Sequence, residues 1–231
     1  MTIWFASGNR HKQKELGAIL GAAVCASQTP APETPPLSPH PAFGLKIPAD
    51  AGLAFNPQET GSSFSENAMI KARELFRLLN DAGHFHPGDA IIADDSGICV
   101  DALNGRPGIY SARYAGAPGR ELAAIPEDSV KNTLLLAEME GRRQRSARFV
   151  CAMALLYSAD NFYIAQETLE GCIAEKPSGA AGFGYDPILF IPEMGRTVAE
   201  LSEAEKNTIS HRGKALRALA KFLININHEP H

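Results

Sequence analysis

Asp94 and Asp95 stand side by side in IIADDSG, where an apolar run meets a serine and a glycine. Two like charges against a strand that reads as buried are costly unless something compensates them. Other polar residues gather at the ends of expected elements. Ser7, Gly8, Asn9, Arg10, His11 and Lys12 follow the first apolar run, and Glu59 lies in QETG ahead of a long helix. Ser96 follows the aspartates. Phe183, Gly184, Tyr185 and Asp186 form FGYD, and Lys206, His211 and Arg212 flank a helix start. This distribution suits a site built at the ends of a sheet. Carboxylates together with a lysine, arginine and histidine set suggest a metal-bound polyphosphate. Magnesium takes a few carboxylates, waters and phosphate oxygens, and cationic side chains neutralise the remaining charge.

Other chemistries lack their motifs. No G-x-x-x-x-G-K-[ST] or G-x-G-x-x-G occurs, no His/Cys set has zinc spacing, and G-x-S-x-G is absent. Taken singly, each remaining piece also has an ordinary explanation: a polar turn, a solvated Glu59, a core ring for Tyr185. Three cationic groups at a helix start, however, oppose the positive end of its dipole. That misfit favours a bound anion.

The elements that must position these residues follow from the pattern. TIWFAS reads as a buried strand and KQKELGAIL as a helix, with SGN as the tight turn between them. Backbone N–H groups are free at such a helix start and commonly hold phosphate. Residues 29–48, rich in proline, read as an irregular surface excursion. In SFSENAMIKARELFRLLN, Ser63 and Glu66 have capping-box spacing. Ala68, Ala72, Leu75, Phe76 and Leu79 mark one helical face, with Asn67 and Lys71 on another. IIADDSG is a strand and its exit, followed by a glycine-rich loop. A helix covers Glu127 to Glu140, and ARFVCAMALLYS and NFYIAQETLEGCIA read as neighbouring strands. GYDPILFIP reads as a strand with Pro187 inside it, hence an edge or a bend. Ser202 and Glu205 form a second capping box, and Ser210 caps HRGKALRALAKFLIN with its stripe Leu216, Leu219, Ala220, Leu223. Helices and strands alternate early and strands cluster later. The expectation is an α/β fold, an elongated mixed β-sheet with flanking helices, in two lobes around a central cleft.

The 231 residues suit one sizeable domain, and 45% hydrophobic against 21% charged residues is ordinary for a globular chain. A net charge of −4 without a basic stripe implies no nucleic-acid polymer. No apolar run reaches the roughly 18 residues of a membrane span. The start, MTIWFASGNRHK, does not read as a signal peptide. Cys25, Cys99, Cys151 and Cys172 form no C-x-x-C pair and read as buried reduced thiols of a cytoplasmic protein.

Five stretches, ASGNRHKQKEL, ETGSSFSENAMIKA, ADDSGICVDALNGRPGIYSARYAG, GFGYDPILF and AELSEAEKNTISHRGKAL, together resemble the inosine triphosphate pyrophosphatase family, the XTP/dITP diphosphatases. They occur in the family's order across nearly the whole chain. The resemblance implies a single domain over residues 1–231, usually a homodimer, that hydrolyses ITP, dITP and XTP to the monophosphate and pyrophosphate with Mg²⁺. It implies that Ser7 to Lys12 face the phosphates and that Asp95 is proton acceptor and metal carboxylate, with Glu59 as the other metal carboxylate. Ser96 would contact substrate. Phe183, Gly184, Tyr185 and Asp186, with Lys206, His211 and Arg212, would form the base pocket. Two departures stand out: a longer proline-rich stretch before Glu59, and Ser7 where many members have threonine. Because adjacent strand residues point to opposite sides, Asp95 is expected to turn toward the metal. Asp94 is expected to face away, satisfied by backbone or a nearby cation. A pyrophosphatase with another base preference and a non-catalytic nucleotide sensor remain the alternatives.

Overall fold

The structure, a computed structural model, describes residues 1–26, 44–114 and 126–225. A seven-stranded sheet runs β2-β1-β3-β4-β5-β6-β7. Its strands are β1 (Thr2–Phe5), β2 (Gly44–Lys46), β3 (Ala90–Val100), β4 (Ser146–Leu156), β5 (Phe162–Ile173), β6 (Leu189–Ile191) and β7 (Arg196–Thr197). The flanking helices are α1 (Arg10–Ala26), α2 (Phe64–Asp81), α3 (Asp128–Glu138), α4 (Glu203–Ile209) and α5 (His211–Asn225). The sheet is mixed. β1 lies parallel to both β2 and β3, with Ile3 opposite Leu45 and Ala90, whereas β6 is antiparallel to β5 and β7. The α/β expectation with a mixed sheet and flanking helices therefore holds.

The parallel part shows why IIADDSG is apolar before it is acidic. Parallel strands are covered on both faces and read as continuous hydrophobic runs. Ile3, Phe5, Ile91 and Ile92 are all fully buried. β3 does not exit at the aspartates as expected but continues to Val100, so Asp94, Asp95 and Ser96 lie in mid-strand. Gly97 marks a close approach instead of a turn, because a Cβ there would collide with Ser111 Oγ and the Gly108 carbonyl. Two other expectations change. GLK, read as part of the irregular proline-rich stretch, is the edge strand β2, and the stretch over 27–43 lies outside the described residues. Pro187 precedes β6, which has neighbours on both sides and is no edge.

The chain divides into two compact units, residues 1–95 with 152–166 and 215–231, and residues 96–151 with 167–214. In the first, α2 buries Ala68, Ala72, Leu75 and Leu79, and α5 buries Leu216, Leu219, Ala220 and Leu223, the expected stripes. In the second, Ile98, Val100, Leu135, Phe149, Leu169, Tyr185 and Leu189 belong to one apolar core. Among the described residues no helix is long and apolar enough to cross a membrane. Among the described residues Cys99, Cys151 and Cys172 form no disulfide, and of these three only Cys151 is fully buried.

Candidate active site

The first unit gathers an acidic cluster. Asn9 opens α1: its Oδ1 accepts from the Lys12 N–H at 3.2 Å, and its own N–H donates to Ser7 Oγ at 3.1 Å. Ser7 and Asn9 thus shape the turn after β1. Gly8 is exposed, with nothing within 4 Å of a Cβ built on it, so a ligand can approach this backbone closely. The side chains of Arg10 and His11 lie outside the described residues. Lys12 Nζ sits 2.9 Å from Asp94 Oδ2, the neighbouring cation expected for Asp94.

Asp95 belongs to α2. Its Oδ1 accepts from Lys71 Nζ at 2.9 Å and its Oδ2 from Asn67 Nδ2 at 3.2 Å. Lys71 Nζ also lies 3.0 Å from Glu59 Oε1, so one ammonium bridges the two expected metal carboxylates. Alternation along β3 explains the sorting: Asp94 is taken by α1 and Asp95 by α2. Asn67 joins the pieces, since its Oδ1 accepts from the Gly61 N–H at 2.8 Å in the turn just after Glu59. Ser63 caps α2 through the Glu66 N–H, but the Glu66 carboxylate returns to the Ser62 N–H and hydroxyl. Burial pushes the Asp95 carboxyl above its ordinary range against the pull of Lys71. Burial would lower Lys71, but Asp95, Asp94 and Glu59 together hold it above its ordinary value.

Asn67 and Lys71 were not expected in the site. They do not occupy a face apart from the apolar one: they continue the i, i+4 row of Leu75 and Leu79, and all four are buried. A lysine and an asparagine on a core row are the signal that could have found them, since such groups are rarely buried without partners.

The second unit gathers a cationic cluster. Asp186, expected in the base pocket, is the hub of its own loop. Its Oδ2 accepts from the Phe183 N–H at 2.9 Å and from Lys206 Nζ at 2.8 Å. Gly182 has φ +77, and a Cβ there would collide with the Asp186 carboxylate. Tyr185 is a core ring whose hydroxyl donates to the Ser111 carbonyl at 2.8 Å, so it anchors the loop. The Lys206 ammonium lies 4.7 Å and the Arg212 guanidinium 5.7 Å from the Phe183 ring centroid. Arg212 Nη2 donates to Ser96 Oγ at 3.0 Å, and the His211 ring stacks on Phe149 at 4.9 Å.

Lys206 corrects the dipole argument. It is in the last turn of α4, where a cation complements the helix, and only His211 and Arg212 open α5. Ser210 caps α5 through the Gly213 N–H, and Ser202 with Glu205 forms the full capping box of α4.

Among the described residues no cluster of three or more His, Cys, Asp or Glu forms a metal cage. Glu59 and Asp95 nevertheless already share one cation, the Lys71 ammonium. Two carboxylates suit a magnesium ion whose other ligands are waters and phosphate oxygens.

The model of the Ham1 family matches residues 3–222. The dITP/XTP pyrophosphatase of Treponema denticola is 43% identical over 96% of this chain and 98% of its own. That of Bacillus subtilis is 41% identical over 78% and 85%. The Staphylococcus aureus Ham1 structure superposes with a TM-score of 0.74 at 32% identity, covering 98% of this chain and all of that one. A Coxiella burnetii HAM1 structure gives 0.73 at 34% identity over 97% and 99%. The chain belongs to the Ham1 family.

Proposed function

We propose that the protein hydrolyses non-standard purine nucleoside triphosphates, ITP, dITP and XTP, to the monophosphate and pyrophosphate. The observation that carries this is Asp95, buried in mid-strand with its two oxygens fixed by Lys71 and Asn67 and its ammonium partner shared with Glu59. Such a carboxylate is oriented and poised to take a proton from water. The water oxygen forms a bond to the α-phosphorus while the bond from that phosphorus to the bridging oxygen breaks. The electron pair leaves with pyrophosphate, and the water's proton passes to Asp95. Glu59 and Asp95 would hold a magnesium ion brought with the triphosphate, which supplies neutralisation of phosphate charge. The Ser7–Lys12 turn receives the phosphates, with Lys12 adding charge from beside Asp94.

The second cluster reads the base. Phe183 offers a ring, and Lys206, His211, Arg212 and Ser96 offer polar groups, among which the Lys206 ammonium and Arg212 guanidinium are donors for a 6-oxo group. Adenine presents an amino group there and leaves those donors unpaired, a penalty of about 1–3 kcal/mol each. Tyr185, Gly184 and Asp186 shape the loop that carries Phe183.

Pyrophosphate release measured on ITP, XTP, GTP and ATP, with and without Mg²⁺, tests the proposal. Preference for ITP and XTP, lost without the metal, is expected. Tight binding with no release would make the protein a nucleotide sensor, and a preference for ATP or a pyrimidine would overturn the base assignment. Action on a pool of free nucleotides fits the cytoplasmic location expected from the sequence. The expected assembly is a C₂ homodimer, which a monomer mass by light scattering at micromolar concentration would reject.

A further inference from the structure

The loop that carries Phe183 is held from a side that none of the expected site residues occupies. Asp128 and Asn132, one turn apart on α3, grip the two backbone groups of Gly184. Asp128 Oδ2 accepts from the Gly184 N–H at 2.6 Å, and Asn132 Nδ2 donates to the Gly184 carbonyl at 3.1 Å. Between them Lys131 Nζ lies 2.7 Å from Asp128 Oδ1 and 6.0 Å over the Tyr185 ring. Gly184 sits at φ +65, in the left-handed region that a free chain readily leaves. Asn132 is 5% exposed, and its Oδ1 is buried without a hydrogen-bond partner among the described residues. Leaving an acceptor buried and unpaired is unfavourable. A leucine would avoid that penalty and pack as well, so the amide's presence is explained by what Nδ2 does for Gly184.

We infer that Asp128 and Asn132 are positioning residues for base selection. They fix the Gly184 peptide, and through it the direction in which Phe183 leaves the backbone. The partner residues of Phe183 and Asp186 named above hold the loop at its ends, whereas Asp128 and Asn132 hold its middle. The inference rests on the base-side role given to Phe183. It adds α3, to which the proposed mechanism gives no reacting or phosphate-binding group.

The test compares Asn132→Ala, Asp128→Ala and Asp128→Asn with Phe183→Ala. Asn132→Ala and Asp128→Ala are expected to raise KM for ITP by up to about tenfold, what one hydrogen bond can carry, with kcat within about twofold. KM for ATP is expected to change little, so the preference for ITP narrows. Asp128→Asn keeps an acceptor for the Gly184 N–H and is expected to restore most of the affinity. Amide exchange of the segment around Gly184 is expected to quicken in both alanine variants. If Phe183→Ala raises KM for ITP while both α3 alanine variants leave it unchanged, the inference is overturned and the base-side role stands. A fall in kcat at unchanged KM overturns it as well. If Phe183→Ala itself leaves KM unchanged, the base-side role is overturned and the inference with it. Should Asn132→Ala fail to fold, Asp128→Ala carries the test, because Asp128 is half exposed.

Discussion

The two polar clusters solve opposite electrostatic problems. In the first unit the carboxylates of Glu59, Asp94 and Asp95 meet the ammonium groups of Lys12 and Lys71. In the second, the Asp186 carboxylate meets the Lys206 ammonium, beside the Arg212 guanidinium on the Phe183 ring. Among these named residues one cluster has an excess of negative charge and the other of positive. The first suits an additional cation arriving with a phosphate chain, and the second suits a ligand rich in acceptors. The means of fixing them differ too. Asp95 and Lys71 are locked by direct, buried ion pairs, whose loss exposes an uncompensated charge. Lys206 shares such a buried pair with Asp186, whereas His211 and Arg212 are fixed by a helix start, aromatic faces and hydrogen bonds, each worth less. Variants in the first cluster should therefore damage turnover and stability together, whereas variants at His211 and Arg212 should mainly change which base is accepted.

The largest effect is expected from Asp95→Asn. The substitution keeps the shape and can still pair with Asn67, but it removes the proton acceptor. Pyrophosphate release from ITP should fall by about 100-fold or more, the contribution of a positioned general base. A folded variant with near-normal turnover would falsify the role of Asp95. Next comes Lys71→Met, which keeps the aliphatic stem and leaves Asp95 and Glu59 without their shared cation. Breaking a buried pair on one side is expected to destabilise by about 3 kcal/mol or more. The pH dependence has a definite sign. The pair attracts only while Asp95 is ionised, and burial raises the pH at which it ionises. The stability gap between wild type and Lys71→Met should thus be widest at neutral to mildly alkaline pH. It should narrow as pH falls through the raised Asp95 value, in urea titrations across pH. A gap that is independent of pH would mean that Lys71 acts by packing alone.

Arg212→Ala probes the other cluster and should be milder in turnover. If Arg212 reads the base, KM for ITP and XTP rises and their advantage over ATP narrows. If it holds phosphate, all triphosphates weaken about equally, because they carry the same phosphates. Values of kcat/KM for ITP, XTP, GTP and ATP separate these outcomes. Arg212→Lys should recover part of the selectivity, since it returns one donor near the Phe183 ring.

The two clusters also differed in how far they could be read from the sequence. Asp94 and Asp95 announced themselves, because adjacent acids in an apolar run demand compensation, and alternation sorted them onto two helices. Lys71 and Asn67 did not, although they stand on the row of Leu75 and Leu79. Their partners are 24 and 28 residues away in the chain, and helical spacing alone reports only neighbours on the same helix. In the second cluster FGYD looked like four ligand contacts. Tyr185 and Asp186 also hold the loop together, a role that depends on where Ser111 and Lys206 end up. The mixed sheet followed from the order of elements. The strand at 44–46 and the extension of β3 past Gly97 did not, because both depend on pairing and close packing with distant residues.

The smallest effect is expected from Glu205→Gln, and it tests whether helix ends fix the second cluster. Glu205 accepts from Arg196 Nη2 at 2.7 Å and from the Ser202 N–H at 2.8 Å, which closes the capping box of α4. The Arg196 bond above all, with the Ser202 backbone and hydroxyl, holds its carboxyl at about 2, below its ordinary 4.5. A carboxyl lowered on folding stabilises above its unfolded value, and that contribution disappears as pH falls through the folded one. Glutamine can still accept a hydrogen bond but carries no charge, so Tm should drop slightly at pH 7. The difference from wild type should shrink between 4.5 and about 2 and vanish below, in thermal scans across that range. Lys206 is the next residue, so a loosened first turn should also shift its grip on Asp186. The expected consequence is a change in KM for ITP of about twofold or less, with kcat unaffected. A loss of kcat comparable to that of Asp95→Asn would show that the second cluster takes part in the chemistry and that the contrast between the clusters is wrong.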